Sequence, residues 1–306
     1  MRHTAHRFVN GTVLKPRTLL ALIAFVLASP SSVVIAGQND AAQCRPSGPL
    51  VQIPGLSEAS GLAVSRRAPG RLWTHNDSGD PDVVALDARG SVIGRVRLMG
   101  AAVEDWEAIA VGPCGTGSCL HVGDIGDNEA RRKRITIYRL PEPEAASGSA
   151  SVADVFHATY PDGPHDAETL LIGGDGRIHI VTKGETGPVA IYRFPAQLKS
   201  GATVTLERVG VGAGKADAES RITDGAVSPD GHWAVLRTKS ALTFYRTADL
   251  LAGQWLASNR VDLTSLKEAQ GEGVALGPDN TVFLAGEGGG KGRPGSFARF
   301  SCAPRE

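Results

Sequence analysis

Short apolar runs of four to seven residues recur along most of the chain, each bounded by Gly, Pro, Asp or Asn, and none is long enough or regularly enough spaced for an amphipathic helix. The runs come in sets. Each set opens with an acidic or hydroxyl residue, then a small residue, then apolar ones: Ser60-Gly61-Leu62, Glu107-Ala108-Ile109, Glu168-Thr169-Leu170, Asp224-Gly225-Ala226 and Glu272-Gly273-Val274. A tight turn follows each set, at Arg67–Gly70, Gly112–Gly115, Gly173–Gly176, Ser228–Gly231 and Gly277–Asn280. Pro, Asp and Gly there supply the fixed or positive φ that hairpins need.

A second apolar strand comes next, exemplified by Leu72–His75, Ile178–Thr182 and Trp233–Leu236. A third is β-branched or aromatic, as in Ile135–Arg139, Val189–Arg193 and Leu242–Arg246. Fourth strands are predicted at Val92–Leu98, Ala153–Tyr160, Thr203–Val209 and Trp255–Asp262, with Glu142–Ser151 read as an exposed linker. The fifth set has no fourth strand, while Pro49–Pro54 is a spare strand ahead of the first. Five four-stranded units arranged radially make an all-β, five-bladed β-propeller, with the N-terminal strand completing the last blade.

Composition changes this picture in one respect. Lys plus Arg and Asp plus Glu both number 32, so no bulk positive charge recommends nucleic acid as a partner. The first 36 residues hold basic residues without acids and an 11-residue apolar run, Thr18–Ala28, too short to span a bilayer. They read as a signal peptide cut after Ala36, leaving residues 37–306 as one domain with a formal charge of −4. A secreted or periplasmic monomer is expected, with no membrane contact beyond export. Oxidising surroundings permit disulfides, and four cysteines allow three pairings. Cys114 and Cys119 flank one hairpin tip, and ring closure would make Cys44 and Cys302 neighbours.

The five anchor residues, Ser60, Glu107, Glu168, Asp224 and Glu272, fall on the first strand of each unit and so face one another around the axis. Ionised carboxylates ~6–8 Å apart repel by roughly 2–3 kcal/mol per pair at an effective dielectric of 20. Protonation or a cation must relieve this, and an all-oxygen set favours calcium. Loops after the second strands place Asp77, Asp124, Lys183, Arg237, Lys239 and Glu287 on one rim. There Asp77 or Asp124 would activate water, while Lys183 and Arg237 would offset the charge of an anionic small-molecule substrate. The basic run Arg131–Arg134 reads as a solvated hairpin tip. Gly286–Gly292 is not a phosphate-binding loop, because no Ser or Thr follows its Lys.

The ordered ring resembles that of the calcium-activated nucleotidases (apyrases), with a weaker likeness to phytase-like propellers in Ser60-Gly61-Leu62 and Glu272-Gly273-Val274. The resemblance implies calcium-assisted hydrolysis of phosphoanhydrides or phosphoesters. The fourth position departs, because that family implies Ser where Asp224 stands, and its nucleotide-clamping residues cannot be placed on this sequence. The alternative is a non-catalytic binding propeller with structural calcium, and glycoside hydrolysis by paired rim carboxylates is a third reading.

Overall fold

In the computed structural model, which describes residues 44–290 and 292–302, five sheets each begin with one predicted anchor strand. The inner strands are Ala59–Val64, Trp106–Cys114, Ala167–Ile172, Ile222–Val227 and Gln270–Leu276. Each pairs outward through a second and third strand, giving the five-bladed propeller expected. The signal-peptide segment lies outside the described residues. Among the described residues no helix is long and apolar enough to cross a membrane.

Both faces of every blade are covered by the next, which is why the strands read as continuous apolar runs rather than alternating ones. Five apolar clusters result, each shared by two adjacent blades. Trp73, Leu120 and Leu140 join the first and second, and Phe244, Val274 and Phe300 join the fourth and fifth.

The ring closes as predicted, and more extensively. Val51–Ile53 pairs antiparallel with the last strand, Gly295–Cys302, and Cys44–Pro46 extends along it to the Cys44↔Cys302 register. Both predicted disulfides form, Cys44–Cys302 across the closure and Cys114–Cys119 at the hairpin.

Two outer-edge readings are corrected. Thr203–Thr205 does not begin the third blade's fourth strand. It pairs parallel with Asp154–Thr159 of the second blade, and the fourth strand is Glu207–Lys215. Likewise Gly148–Ser151 is no free linker, since it pairs parallel with Val92–Met99 of the first blade. Glu142, at the head of that segment, is buried at 1% exposure. Its carboxylate accepts from Ser65 Oγ, from Trp73 Nε1 at 3.1 Å and from Ser118 Oγ at 2.6 Å. A polar staple therefore joins the first two blades, invisible in sequence because the motif Pro-Glu-Pro-Glu reads as a surface segment.

Near the axis the inner strands approach too closely for side chains at some positions. A Cβ on Gly61 would lie 2.9 Å from the Ile109 amide nitrogen, and the residue also holds φ +60°. On Gly273 a Cβ would lie 2.8 Å from the Gly61 carbonyl carbon. The small residue after the anchor is thus a spacing device between blades.

Two predictions follow from this architecture. Replacing Cys44 and Cys302 by Ser should cost roughly 2–5 kcal/mol in denaturant unfolding, and replacing Cys114 and Cys119 distinctly less, because the loop closed by the first pair is far longer. Equal losses from the two pairs would contradict the closure role. The second concerns His75, His121 and His179, all buried on second strands, where burial lowers each pKa from 6.5 to about 4. Between those values the unfolded chain takes up protons that the fold excludes. Stability from each group is complete above pH 6.5 and falls as the pH drops towards 4, by up to about 3 kcal/mol. Axial carboxyls with raised pKa act in the opposite sense, so the contribution is read as a difference. His121→Gln should lose less stability than wild type between pH 7.5 and 4, and identical slopes would refute it.

Candidate functional site

The anchor residues gain their inward position from a shared irregularity. In every blade the pairing between inner and second strand slips near the strand's start: between Ser60 and Ala63, Trp106 and Ala108, Ala167 and Thr169, Ile222 and Asp224, and Gly271 and Val274. Such bulges re-aim side chains and release them from the ladder. Glu107, Glu168 and Glu272 stand within these slips, and so does Thr223. Counting back from the turns gives the same register. Gly173, Ser228 and Gly277 each open a turn by bonding to the residue four or five positions on, and Glu168, Thr223 and Glu272 each lie five positions before. The ring is therefore Ser60, Glu107, Glu168, Thr223 and Glu272.

Asp224 sits one residue past the ring, and this revises its placement. It is fully buried, and its Oδ2 accepts the amides of Val274 at 2.7 Å and Leu62 at 3.3 Å. A side chain from the fourth blade thus reaches the inner strands of the fifth and first. Burial raises its pKa well above the usual range, against the opposing pull of those amides and of Arg237. Ring hydroxyls also join neighbouring blades. Ser60 Oγ lies 3.1 Å from the Glu107 carbonyl oxygen and 3.2 Å from its Oε2, and Thr223 Oγ1 donates to the Glu272 carbonyl at 3.2 Å.

The three ring glutamates are buried together at the end of the axis where the inner strands begin. Burial raises Glu107 well above the ordinary carboxyl range, reinforced by Glu168 and Asp105. Glu272 is raised likewise, by burial and then by Glu168. Glu168 is raised to about 7 by burial, with Lys183 opposing. Lys183 forms an ion pair with Glu168, lies 3.4 Å from Asp166 Oδ2, and is held above the usual lysine range by both despite its burial. The repulsion expected on the axis is thus met partly by protonation and partly by the chain's own ammonium group.

The predicted rim residues meet different fates. Asp77 stands at the same mouth, half-buried, with Oδ1 lacking a hydrogen-bond partner. Burial raises it to about 7, helped by Glu58 and Glu287. Asp124 is buried and committed: it accepts the amides of Glu104 and Asp105, each at 3.2 Å, and pairs with Arg132 at 2.7 Å. Arg237 is not at the rim. It is fully buried, donating to the carbonyls of Gly273 at 2.7 Å and Ala285 at 2.8 Å and pairing with Glu268. Its position at the strand end made it look exposed, but the loop carrying Glu268 folds over it. From the sequence, Glu104-Asp105 and His165-Asp166 border the tunnel just before the inner strands, whereas Thr223 and Glu58 were missed as neighbours of the mouth.

Ring donors are all oxygen, which fits a hard cation such as calcium in chemistry. The side chains are not closed into a ligand set, however. Among the described residues no group of three or more His, Cys, Asp or Glu side chains is placed to hold a metal ion.

No protein-family model matches the chain, and no curated protein matches it in sequence. Solved structures do match in architecture. The PQQ-bound aldose sugar dehydrogenase from Streptomyces coelicolor aligns with a TM-score of 0.49 at 12% identity, covering 85% of this chain and 98% of that one. A gluconolactonase from Xanthomonas campestris aligns at 0.42 and 14%, covering 79% and 72%. Hydrazine synthase from Kuenenia stuttgartiensis aligns at 0.38 and 13%, covering 74% and 64%. None of these likenesses assigns a substrate or a cofactor.

Arg237 provides the test of this site's anatomy. Breaking a buried ion pair from one side costs about 3–5 kcal/mol. Arg237→Ala should therefore lower thermal and denaturant stability sharply. A variant as stable as wild type would return Arg237 to the list of candidate active-site cations.

Proposed function

We propose that the chain is an extracytoplasmic binding propeller that takes calcium at the axial ring, with Ser60, Glu107, Glu168, Thr223 and Glu272 as the oxygen donors. The observation that carries this is the burial of three glutamates, together with two hydroxyl residues, around one mouth. Two further points support it. Thr223, a hydroxyl residue, stands within the register shift of the fourth inner strand, and the resemblance to calcium-activated nucleotidases implies a Ser at the fourth ring place. The two disulfides suit an oxidising compartment. Bound there, calcium supplies fixed positive charge at the mouth, on which an oxygen-bearing ligand can rest. Lys183, paired with Glu168, adds a further positive charge beside the ring.

Hydrolysis of phosphate esters or anhydrides is the second reading, and Asp77 favours it. A half-buried carboxyl with its pKa raised to about 7 can take a proton from water at neutral pH. Against it, the two cations assigned to the substrate's phosphate are both engaged, Lys183 with carboxylates and Arg237 in the interior.

Calcium titration followed by thermal unfolding tests the first reading, because a ligand that binds only the folded state raises its stability. Calcium should raise the melting temperature, a chelator should reverse this, and Glu107→Gln should abolish the response. Without calcium, Glu107→Gln should be neutral or stabilising, since an amide carries none of the buried charge. No calcium response, with no calcium in elemental analysis of the purified protein, would overturn the reading. A panel of nucleotides, phytate and aryl glycosides separates the second. Turnover of a phosphate compound that Asp77→Asn eliminates would establish hydrolysis, and silence from calcium-loaded protein would remove it.

A further inference from the structure

Lys and Arg stand side by side at two places in the chain, Arg66-Arg67 and Arg131–Arg134. Both fall in connections between strands, and the fold holds them very differently.

Arg66-Arg67 is tied down. It lies in the short turn between Ala59–Val64 and Arg71–Asn76. The Arg66 amide donates to Glu142 Oε2 at 3.2 Å, and its guanidinium to the Pro229 carbonyl at 3.2 Å. The Arg67 amide donates to Ser65 Oγ at 3.2 Å, and its side chain pairs with Glu144.

The second run ends the connection 125–134, between Gly117–Asp124 and Ile135–Pro141 of the second blade. It is only in part the solvated tip that its charge suggests. Asp127 accepts the amides of Arg131 and Arg132, each at 2.8 Å, and Arg131 pairs with Glu129 at 2.6 Å. The Arg132 side chain is 12% exposed and held by Asp124 at 2.7 Å, Glu104 at 3.0 Å and the Gly126 carbonyl at 2.8 Å. These restraints stop at Arg132. Lys133 and Arg134 are exposed, and among the described residues neither side chain forms a hydrogen bond or an ion pair. Ile135, the next residue, is buried and begins the strand. A protease takes its substrate where the chain can lift from the fold, and few local contacts mark such places. Lys133-Arg134 meets that condition and Arg66-Arg67 does not.

Ring closure decides what a break there does. Cys44 lies before it and Cys302 after it, and the two are bonded to each other. Cys114 and Cys119 both lie before it. The closing disulfide makes residues 44–302 a covalent ring, which one cut opens without dividing. Strands on the two sides of the cut are paired from Cys119↔Pro141 to Asp124↔Thr136, and Arg132 keeps its ion pairs. Exposed loop tips of this kind are where proteins accept nicks and new termini.

We propose that Lys133-Arg134 is a processing site for an endopeptidase specific for paired basic residues, and that its product is a two-chain propeller held by Cys44–Cys302. The step is hydrolysis of the peptide bond after Lys133 or Arg134. Water supplies hydroxyl to the carbonyl carbon and a proton to the departing nitrogen, leaving a new carboxylate and a new amine. Nothing in this depends on the axial ring or on calcium.

Limited digestion of the purified, disulfide-bonded protein with such an endopeptidase tests the proposal, read by electrophoresis, intact mass and N-terminal sequencing. One cut is expected, with the new N-terminus at Arg134 or Ile135. Without reductant the product should remain one molecule, heavier than the intact protein by one water, and with reductant it should separate into two fragments. Its circular dichroism should match that of the uncut protein. Lys133→Gln combined with Arg134→Gln should slow cleavage roughly tenfold or more, whereas Arg66→Gln should change it less than twofold. First cleavage at Arg66-Arg67 would overturn the proposal. So would resistance of the folded protein under conditions that cut the denatured chain, separation of the fragments without reductant, or loss of the β-sheet signal on cutting.

Discussion

Convergence of five strand starts on one axis is the constraint from which the rest of the structure derives. At that radius there is no room for a full side chain at each position of each strand. Glycine at 61 and 273 lets backbone meet backbone, and a bulge in every blade turns one polar residue inward. The polar groups then bond across blades rather than within them, as Asp224 does to Leu62 and Val274 and Thr223 to Glu272. Inter-blade hydrogen bonds of this kind tie blades together where apolar packing alone would leave them free to shift. The same crowding concentrates carboxyl groups, so function and strain have a common origin. Buried charges without partners are costly, and here they are relieved by protonation, by Lys183, and in the proposed function by a metal ion.

Arg237 and Glu142 show how the periphery supports that centre. Arg237 lies behind the axis and ties the fourth blade to carbonyls of the fifth. Glu142 serves the first and second blades in the same way, collecting two hydroxyls and an indole. Each is a buried polar side chain in a seam largely filled by apolar groups, and Arg237 has Glu268 as its ion-pair partner there. Neither has a partner that can be named from spacing along the chain, because the partners come from another blade. Satisfying a buried charge across such a seam fixes the relative position of two blades, which non-directional apolar contact does not.

Blade number, ring closure and both disulfides were legible in the sequence because they rest on periodicity, and five repeats confirm one another. The fourth repeat shows where that logic fails. Thr223-Asp224-Gly225 offers an acid followed by glycine, just as Glu272-Gly273 does, and motif matching therefore selects Asp224. The turn that follows fixes the register one residue earlier, through the Ser228 amide bonded to the Trp233 carbonyl. Hydrogen-bonded turns carry register more reliably than side-chain type, because shifting a strand by one residue reverses every side chain along it. Outer strands were less legible for a related reason. At the rim a strand has a solvent side, so short polar segments such as Gly148–Ser151 and Thr203–Thr205 can add to a neighbouring blade without an apolar signature.

The rim was the least legible region, and its residues separate by depth. Sequence places Asp77, Asp124, Lys183 and Arg237 at equivalent strand ends, yet their exposures differ widely, because the connecting loops differ in length and fold back differently over each blade. Where the loop covers the end, as Glu268 does over Arg237, the charge becomes structural. Where the loop stays back, as at Asp77, the carboxyl remains half-buried with an oxygen unpaired. A fully solvated carboxyl keeps its ordinary pKa, whereas one at intermediate depth combines a shifted pKa with contact to solvent. Of the four, Asp124, Lys183 and Arg237 are each held in an ion pair, whereas Asp77 combines intermediate depth with a raised pKa.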